Sequence, residues 1–338
     1  MSSKSENTLR STFLEALPSA ERDHIFTLTG ELSVFLMAWS KKYPTLMRTR
    51  RVPQVSLTMA VSAPFLSARE LLPTASLFMW LFAVDDLCDE APPGEQAASD
   101  APLWTRIEQA VSVFREPDTV SPGGEEPLRQ SLRDIRDGLA HFPLFASLRA
   151  PLESSLRDFL RGTRHETAWS ARYRQSPHGP LPSLEDYLEK GACYTSGTLP
   201  IYLGVLTSIN EDAILPRLPH FMGLGHEAAI SIRLANDLRS YEKELAEGKL
   251  NSLVLFQREL MAQHGMDSTR ALARARAEVR THLVDAMERC MQSGTEEASA
   301  GSRATQAIVN AAAFACDFYA HHDFHPPVVP KLTPSAST

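Results

Sequence analysis

Asn236, Ser240 and Glu244 follow one another at steps of four in the run Ala235-Asn236-Asp237-Leu238-Arg239-Ser240-Tyr241-Glu242-Lys243-Glu244. On a helix this sets an amide, a hydroxyl and a carboxylate along one stripe, about 6 Å apart at ~1.5 Å per residue. Asn and Ser are poor interior helix formers, because their side chains compete for backbone hydrogen bonds. Their presence beside Glu244 therefore points to a use for their oxygens. Three oxygen donors on one face suit a hard divalent cation that keeps some of its waters, magnesium before any other.

A second acidic seam lies far upstream. The apolar stretch from Ala75 to Val84 runs into Asp85-Asp86-Leu87-Cys88-Asp89-Glu90, and Asp85 and Asp89 share a helix face. Carboxylates closing a buried helix must be paired or metal-bound to tolerate that setting. Asp86 and Glu90 are expected in salt bridges, Asp85 and Asp89 as metal ligands. Two such seams imply a polyanion between them. A diphosphate would be repelled by these acids alone, at about 4 kcal/mol per unit-charge pair at ~4 Å and an effective dielectric of 20. Divalent ions reverse that sign and act as Lewis acids on a departing phosphate. Arg233 and Lys243 fall close to the Asn236 stripe and could hold diphosphate oxygens, Arg as a fork and Lys as a point charge. Phe78 and Phe82 share the face of Asp85, and an aromatic face stabilises a cation by about 2 kcal/mol once water is excluded. Rings at helical spacing are as often plain core, and Trp80 carries the same ambiguity.

The two motifs together carry a resemblance. Asn236-Asp237-x-x-Ser240-x-x-Lys243-Glu244 looks like the second metal motif of class I terpene synthases, and Asp85-Asp86-Leu87-Cys88-Asp89-Glu90 is similar to their aspartate-rich first motif. It extends over most of the chain, roughly residues 25 to 325. The resemblance implies an all-α fold, one helical bundle around a central apolar cavity. It implies catalytic metal ligands Asp85, Asp89, Asn236, Ser240 and Glu244, three Mg2+ ions, and Arg233 and Lys243 on the diphosphate. The reaction would be ionisation of a prenyl diphosphate and cyclisation of the carbocation. A homodimer, and a prenyl diphosphate synthase or class II cyclase as metabolic partner, would fit the family.

That family also breaks a helix beside the substrate. Here Tyr187 to Pro200 has the small residues and the proline that free backbone groups, with Tyr194 and Gly197 as pocket candidates. Many bacterial members carry a diphosphate-sensing arginine in this stretch. This chain offers Lys190 or nothing, and the paired Arg-Tyr near the C-terminus of many relatives is replaced by Asp317-Phe318-Tyr319. The run from Tyr194 to Leu203 and the phrase Glu247-Gly248-Lys249-Leu250-Asn251 are similar to kaurene-synthase-like diterpene cyclases. They favour a twenty-carbon substrate, geranylgeranyl diphosphate or a bicyclic labdane-type diphosphate, with a sesquiterpene synthase acting on farnesyl diphosphate as the alternative. No Asp-x-Asp-Asp sequence is present, so the chain would not make the bicycle itself. An isoprenyl diphosphate elongator would carry a second aspartate-rich motif instead, and a non-catalytic helical binding protein would bind no metal.

Composition sets outer limits. With 338 residues and a net charge of −7, the chain lacks the basic surface that a nucleic-acid backbone demands. The cluster Arg48, Arg50, Arg51 is local, either a solvated turn or a clamp on diphosphate. Four cysteines without Cys-x-x-Cys spacing speak against zinc and for a reducing, cytoplasmic setting. No leader-like apolar region opens the chain, and the ten-residue apolar run at 75–84 is too short to span a bilayer. Apolar residues recur at helical spacing almost throughout, predicting helices near 22–42, 66–88, 103–115, 126–140, 145–172, 183–208, 216–247, 252–263, 267–293 and 301–321. The expected organisation is a flexible segment at 1–20, one catalytic α domain at 21–325 and a loose tail at 326–338.

Overall fold

The computed structural model describes residues 12–90, 102–115, 126–298 and 302–322. Among these every regular element is helical and no strand occurs. In chain order they are α1 (Thr12–Ala16), α2 (Ser19–Ser40), α3 (Val52–Ser62), α4 (Ala68–Glu90), α5 (Pro102–Val111), α6 (Pro127–Leu139) and α7 (Phe145–Gln175). Next come α8 (Leu184–Tyr187), a π-turn (Leu188–Ala192), α9 (Cys193–Thr195), α10 (Thr198–Ile209), α11 (Leu218–Glu247), α12 (Ser252–His264), α13 (Ser268–Ala298) and α14 (Arg303–His321).

α4 is apolar on every side, and a helix of that kind belongs at the centre of a bundle. By length and composition it could cross a membrane, yet it lies inside the protein, packed on α2, α3, α6 and α10. The Trp80 indole donates to the Leu128 carbonyl at 3.0 Å. A side chain at Gly204 would meet Thr74 Oγ1 at 2.7 Å, so glycine sets how closely α10 crosses α4. On the other side, α11 packs against α13 and α14. α4 and α11 thus face each other across the bundle, each bringing its seam to the same end.

The expected helices recur with shifted ends. α3 has no counterpart in the expected set: Val52 to Ser62 is buried almost throughout, so it lacks the amphipathic period that marks a surface helix. The proposed flexible segment to residue 20 is also corrected in part. Residues 1–11 lie outside the described structure, but α1 buries Leu14, and Thr12 and Phe13 hydrogen-bond Asp317 of α14. The tail at 326–338 lies outside the described residues as well.

Candidate active site

At the end of α4, Asp85 is half-buried and Asp89 exposed, and both line a cavity of about 700 Å³. Asp86 is held by Arg51 through two bonds of 2.7 and 2.9 Å and by Arg48 at 2.8 Å, and Arg48 also pairs with Glu90. The basic turn before α3 therefore clamps the aspartate-rich helix, and Arg51 is buried in doing so. Cys88 lies between the two candidate ligands in sequence. Burial, then Asp85 and Asp89, raise its thiol pKa, so it stays protonated and the motif offers oxygen rather than sulfur.

Across the cavity, Asn236, Ser240, Lys243 and Glu244 line the wall formed by α11. The Ser240 hydroxyl donates to the Asn236 carbonyl at 2.8 Å, which leaves oxygen lone pairs for another partner. Glu244 accepts from Asn251 Nδ2 at 2.9 Å. Burial and the neighbouring Asp237 push the Glu244 carboxyl up to about 7. Asp237, one residue past Asn236, points the other way and is fully buried. It accepts from Tyr187 OH at 2.9 Å, from the Ser252 N–H at 3.0 Å and from Arg233 Nε at 2.9 Å.

Arg233 is the hub behind this wall. Its guanidinium donates to Tyr187 OH at 2.8 Å and to Thr195 Oγ1 at 3.3 Å, and forms an ion pair with Glu166 at 3.2 Å. Burial opposes its charge, but Glu166, Tyr187 and Asp237 outweigh that and raise its pKa. Glu166 in turn accepts from the Thr195 hydroxyl at 2.8 Å. Glu166 and Thr195 carry no motif in the sequence, yet they join α7 and the helix break to the α11 wall.

The break itself falls at Ser196–Gly197. Gly197 has φ +67°, a conformation that L side chains avoid, and a Cβ there would stand 2.9 Å from Leu81 Cδ1. Thr195, Ser196, Gly197 and Thr198 all line the cavity. The deeper lining is mostly apolar, with Phe78, Leu81, Phe159, Ile201, Val205 and Ile308.

This donor set fits a hard cation: oxygen only, on two facing helices, with one carboxylate of raised pKa that ionisation would prepare for a metal. Among the described residues no three His, Cys, Asp or Glu side chains form a ready-made cage, so amide and hydroxyl oxygens are needed to complete a site. The sequence profile described as terpene synthase family 2, C-terminal metal binding, matches residues 76–289, from the middle of α4 into α13. The chain belongs to that family. It is a class I terpene synthase, a lyase acting on prenyl diphosphates with a divalent metal cofactor.

The terpene synthase is 23% identical over 227 residues to ent-pimara-9(11),15-diene synthase of Streptomyces sp. (strain KO-3988), spanning 65% of this chain and 71% of that one. It is 30% identical over 202 residues to the chloroplastic dolabradiene synthase KSL4 of Zea mays, which covers 57% of this chain but 22% of that longer protein. Its fold matches 2-methylisoborneol synthase from Streptomyces coelicolor A3(2), solved with Mg2+ and 2-fluoroneryl diphosphate. The TM-score is 0.62 at 18% identity, over 87% of this chain and 90% of that one.

The structure also places the residues that the sequence left open or assigned to the pocket. Tyr194 is not part of the cavity lining; it packs on Gly162 of α7, because the preceding π-turn adds a residue and rotates the helix beyond it. Lys190 pairs with Asp186 beside a separate surface pocket and so does not fill the place of the missing arginine. Trp80 is core, fully buried. Phe78 and Phe82 both line the cavity and stack at 5.0 Å, but Arg51 lies over the Phe82 ring at 4.4 Å. The Phe82 ring thus already has two close partners, Phe78 and Arg51.

Proposed function

We propose that this terpene synthase ionises a twenty-carbon diphosphate, geranylgeranyl diphosphate or a bicyclic labdane-type diphosphate, and cyclises the carbocation to a diterpene hydrocarbon or alcohol. One observation carries the reading: Asp85 and Asp89 on α4 and Asn236, Ser240 and Glu244 on α11 line one mouth above a mostly apolar cavity. The chain length of the substrate is supported by the two curated relatives, both diterpene synthases.

Magnesium, three ions in the proposed complex, would supply Lewis-acid neutralisation of the charge that builds on the leaving diphosphate. Asn236, Ser240 and Glu244 would hold one ion, and Asp85 with Asp89 the others. Lys243 would bind diphosphate oxygen directly. Arg233, already committed to two carboxylates, is placed to reach diphosphate only by giving up one of them, and its resting role is to fix Asp237 and Thr195. The carbon–oxygen bond breaks with its electron pair going to diphosphate. Below, the apolar wall would exclude water and the Phe78 ring, which lines the cavity, would stabilise positive charge. Loss of a proton gives a hydrocarbon, and addition of water an alcohol. The supplier of the substrate would be a prenyl diphosphate synthase, or a class II cyclase if the bicycle is used. Cys88, Cys193, Cys290 and Cys316 form no disulfide, which suits a reducing compartment, and the cytoplasm is the proposed setting.

The test is incubation with Mg2+ and, separately, ten-, fifteen- and twenty-carbon linear diphosphates and bicyclic diterpenyl diphosphates, with products identified by mass spectrometry. Turnover of a twenty-carbon substrate is expected. Turnover of the fifteen-carbon substrate alone would replace the diterpene reading with a sesquiterpene one.

A further inference from the structure

Asp89 is engaged by a cation from the opposite wall. Lys249 Nζ lies 2.7 Å from Asp89 Oδ2 and 3.4 Å from Glu247, and this ion pair is the bridge between the end of α4 and the loop after α11. Lys249 lines the same mouth as Lys243 and Glu244. Its main chain is pinned. Gly248 ends α11 at φ +67°, the Lys249 N–H donates to the Glu244 carbonyl at 2.8 Å, and the Leu250 N–H donates to Ser170 Oγ at 3.1 Å. Only the side chain is in a position to swing.

We propose that Lys249 is an exchanging counter-ion of the diphosphate site: it neutralises Asp89 before metal arrives and moves its ammonium from Asp89 to a diphosphate oxygen once a divalent ion takes that carboxylate. The inference rests on the metal assignment proposed above. A divalent ion brings two positive charges where the ammonium brings one, so both cannot stay at full contact with the same oxygen. The displaced Nζ carries three donors and stands at the rim through which a diphosphate must pass, and ammonium-to-phosphate contacts are among the strong charge-assisted bonds. Neither Lys190, turned away to Asp186, nor Arg233, held by Glu166 and Asp237, has this freedom. Lys249 thereby supplies the positioning cation that the break of this chain lacks.

The tests are calorimetry with Mg2+ alone and with inorganic pyrophosphate at saturating Mg2+, on the wild type, Lys249→Met and Lys249→Arg. In K249M, binding of Mg2+ alone should tighten about threefold, as expected for removing an exposed competing ion pair. Pyrophosphate should bind about tenfold more weakly, the loss of one charge-assisted contact. K249R should restore pyrophosphate affinity. Unchanged affinities in K249M, or two losses in the same direction, overturn the exchange while leaving the metal assignment intact. A wild type that binds no Mg2+ and pyrophosphate removes both. A second measurement needs no variant: amine labelling of Lys249 followed by mass spectrometry should speed up with Mg2+ alone and slow with Mg2+ plus pyrophosphate. A labelling rate indifferent to Mg2+ contradicts the proposal.

Discussion

The Asn251 side chain binds Glu244 Oε2 at 2.9 Å and, with the same amide nitrogen, the main-chain oxygen of Asp237 at 3.0 Å, while its own oxygen caps α12 at the Leu253 N–H. One residue thus fixes the rotamer of a candidate metal ligand and starts the next helix. Asn251→Ala should lower stability by about 2 kcal/mol through the lost cap and the buried groups left unpaired. It should also weaken Mg2+ binding, because Glu244 loses its orientation. Urea unfolding and calorimetry measure the two effects, and a stable variant with unaltered Mg2+ affinity would reduce Asn251 to a bystander.

The raised pKa of Glu244, about 7 against the ordinary 4.5, sets a pH dependence with a definite sign. The fold retains a proton that the unfolded chain gives up, so its contribution to metal-free stability is full at low pH and is lost as pH rises through about 7. Mg2+ requires the ionised carboxylate, so its affinity should fall by up to about tenfold per unit as pH drops below 7. Melting temperatures without metal, and Mg2+ titrations across that range, test both trends. Glu244→Gln should flatten the stability trend, and a wild type that is already flat would contradict the cause assigned.

Arg51 and Arg48 look alike in sequence but differ in burial. Arg51→Met takes two charge-assisted bonds from the buried Asp86 carboxylate and leaves it Arg48 alone, so it should cost about 2 kcal/mol. Arg48, with 34% of its side chain exposed, should cost under about 1 kcal/mol on the same change. Chemical denaturation of the two variants gives the comparison, and equal losses would refute it.

The stacking geometry separates two rings that the helical spacing treats as equivalent. Phe78→Leu should shift the product mixture with little loss of total turnover, whereas Phe82→Leu should mainly lower stability, because its ring holds contacts with both Phe78 and Arg51. Product profiles by gas chromatography decide it. A larger product shift from Phe82 would reverse the assignment.

Why some of this was legible before folding and some was not has a physical basis. The α11 stripe shows because an i, i+4, i+8 pattern of poor helix formers has no structural excuse. The acids of α4 show because they interrupt a long apolar run. Helix α3 is hidden for the opposite reason, being buried all round and without a period. Glu166 and Lys249 are ordinary surface-type residues in sequence, and only the folded chain brings Glu166 to Arg233 and Lys249 to Asp89. Tyr194, a pocket candidate by the family's helix break, lies against Gly162 outside the cavity lining just past the π-turn, whose extra residue no regular helical period announces.

The most direct measurement is release of inorganic diphosphate from geranylgeranyl diphosphate with Mg2+, for the wild type, Asp85→Ala and Asn236→Ala, with helicity checked by circular dichroism. Loss of release in each variant at unchanged helicity is the result expected if the facing α4 and α11 oxygens hold the metal together. Wild-type release from either variant would contradict it.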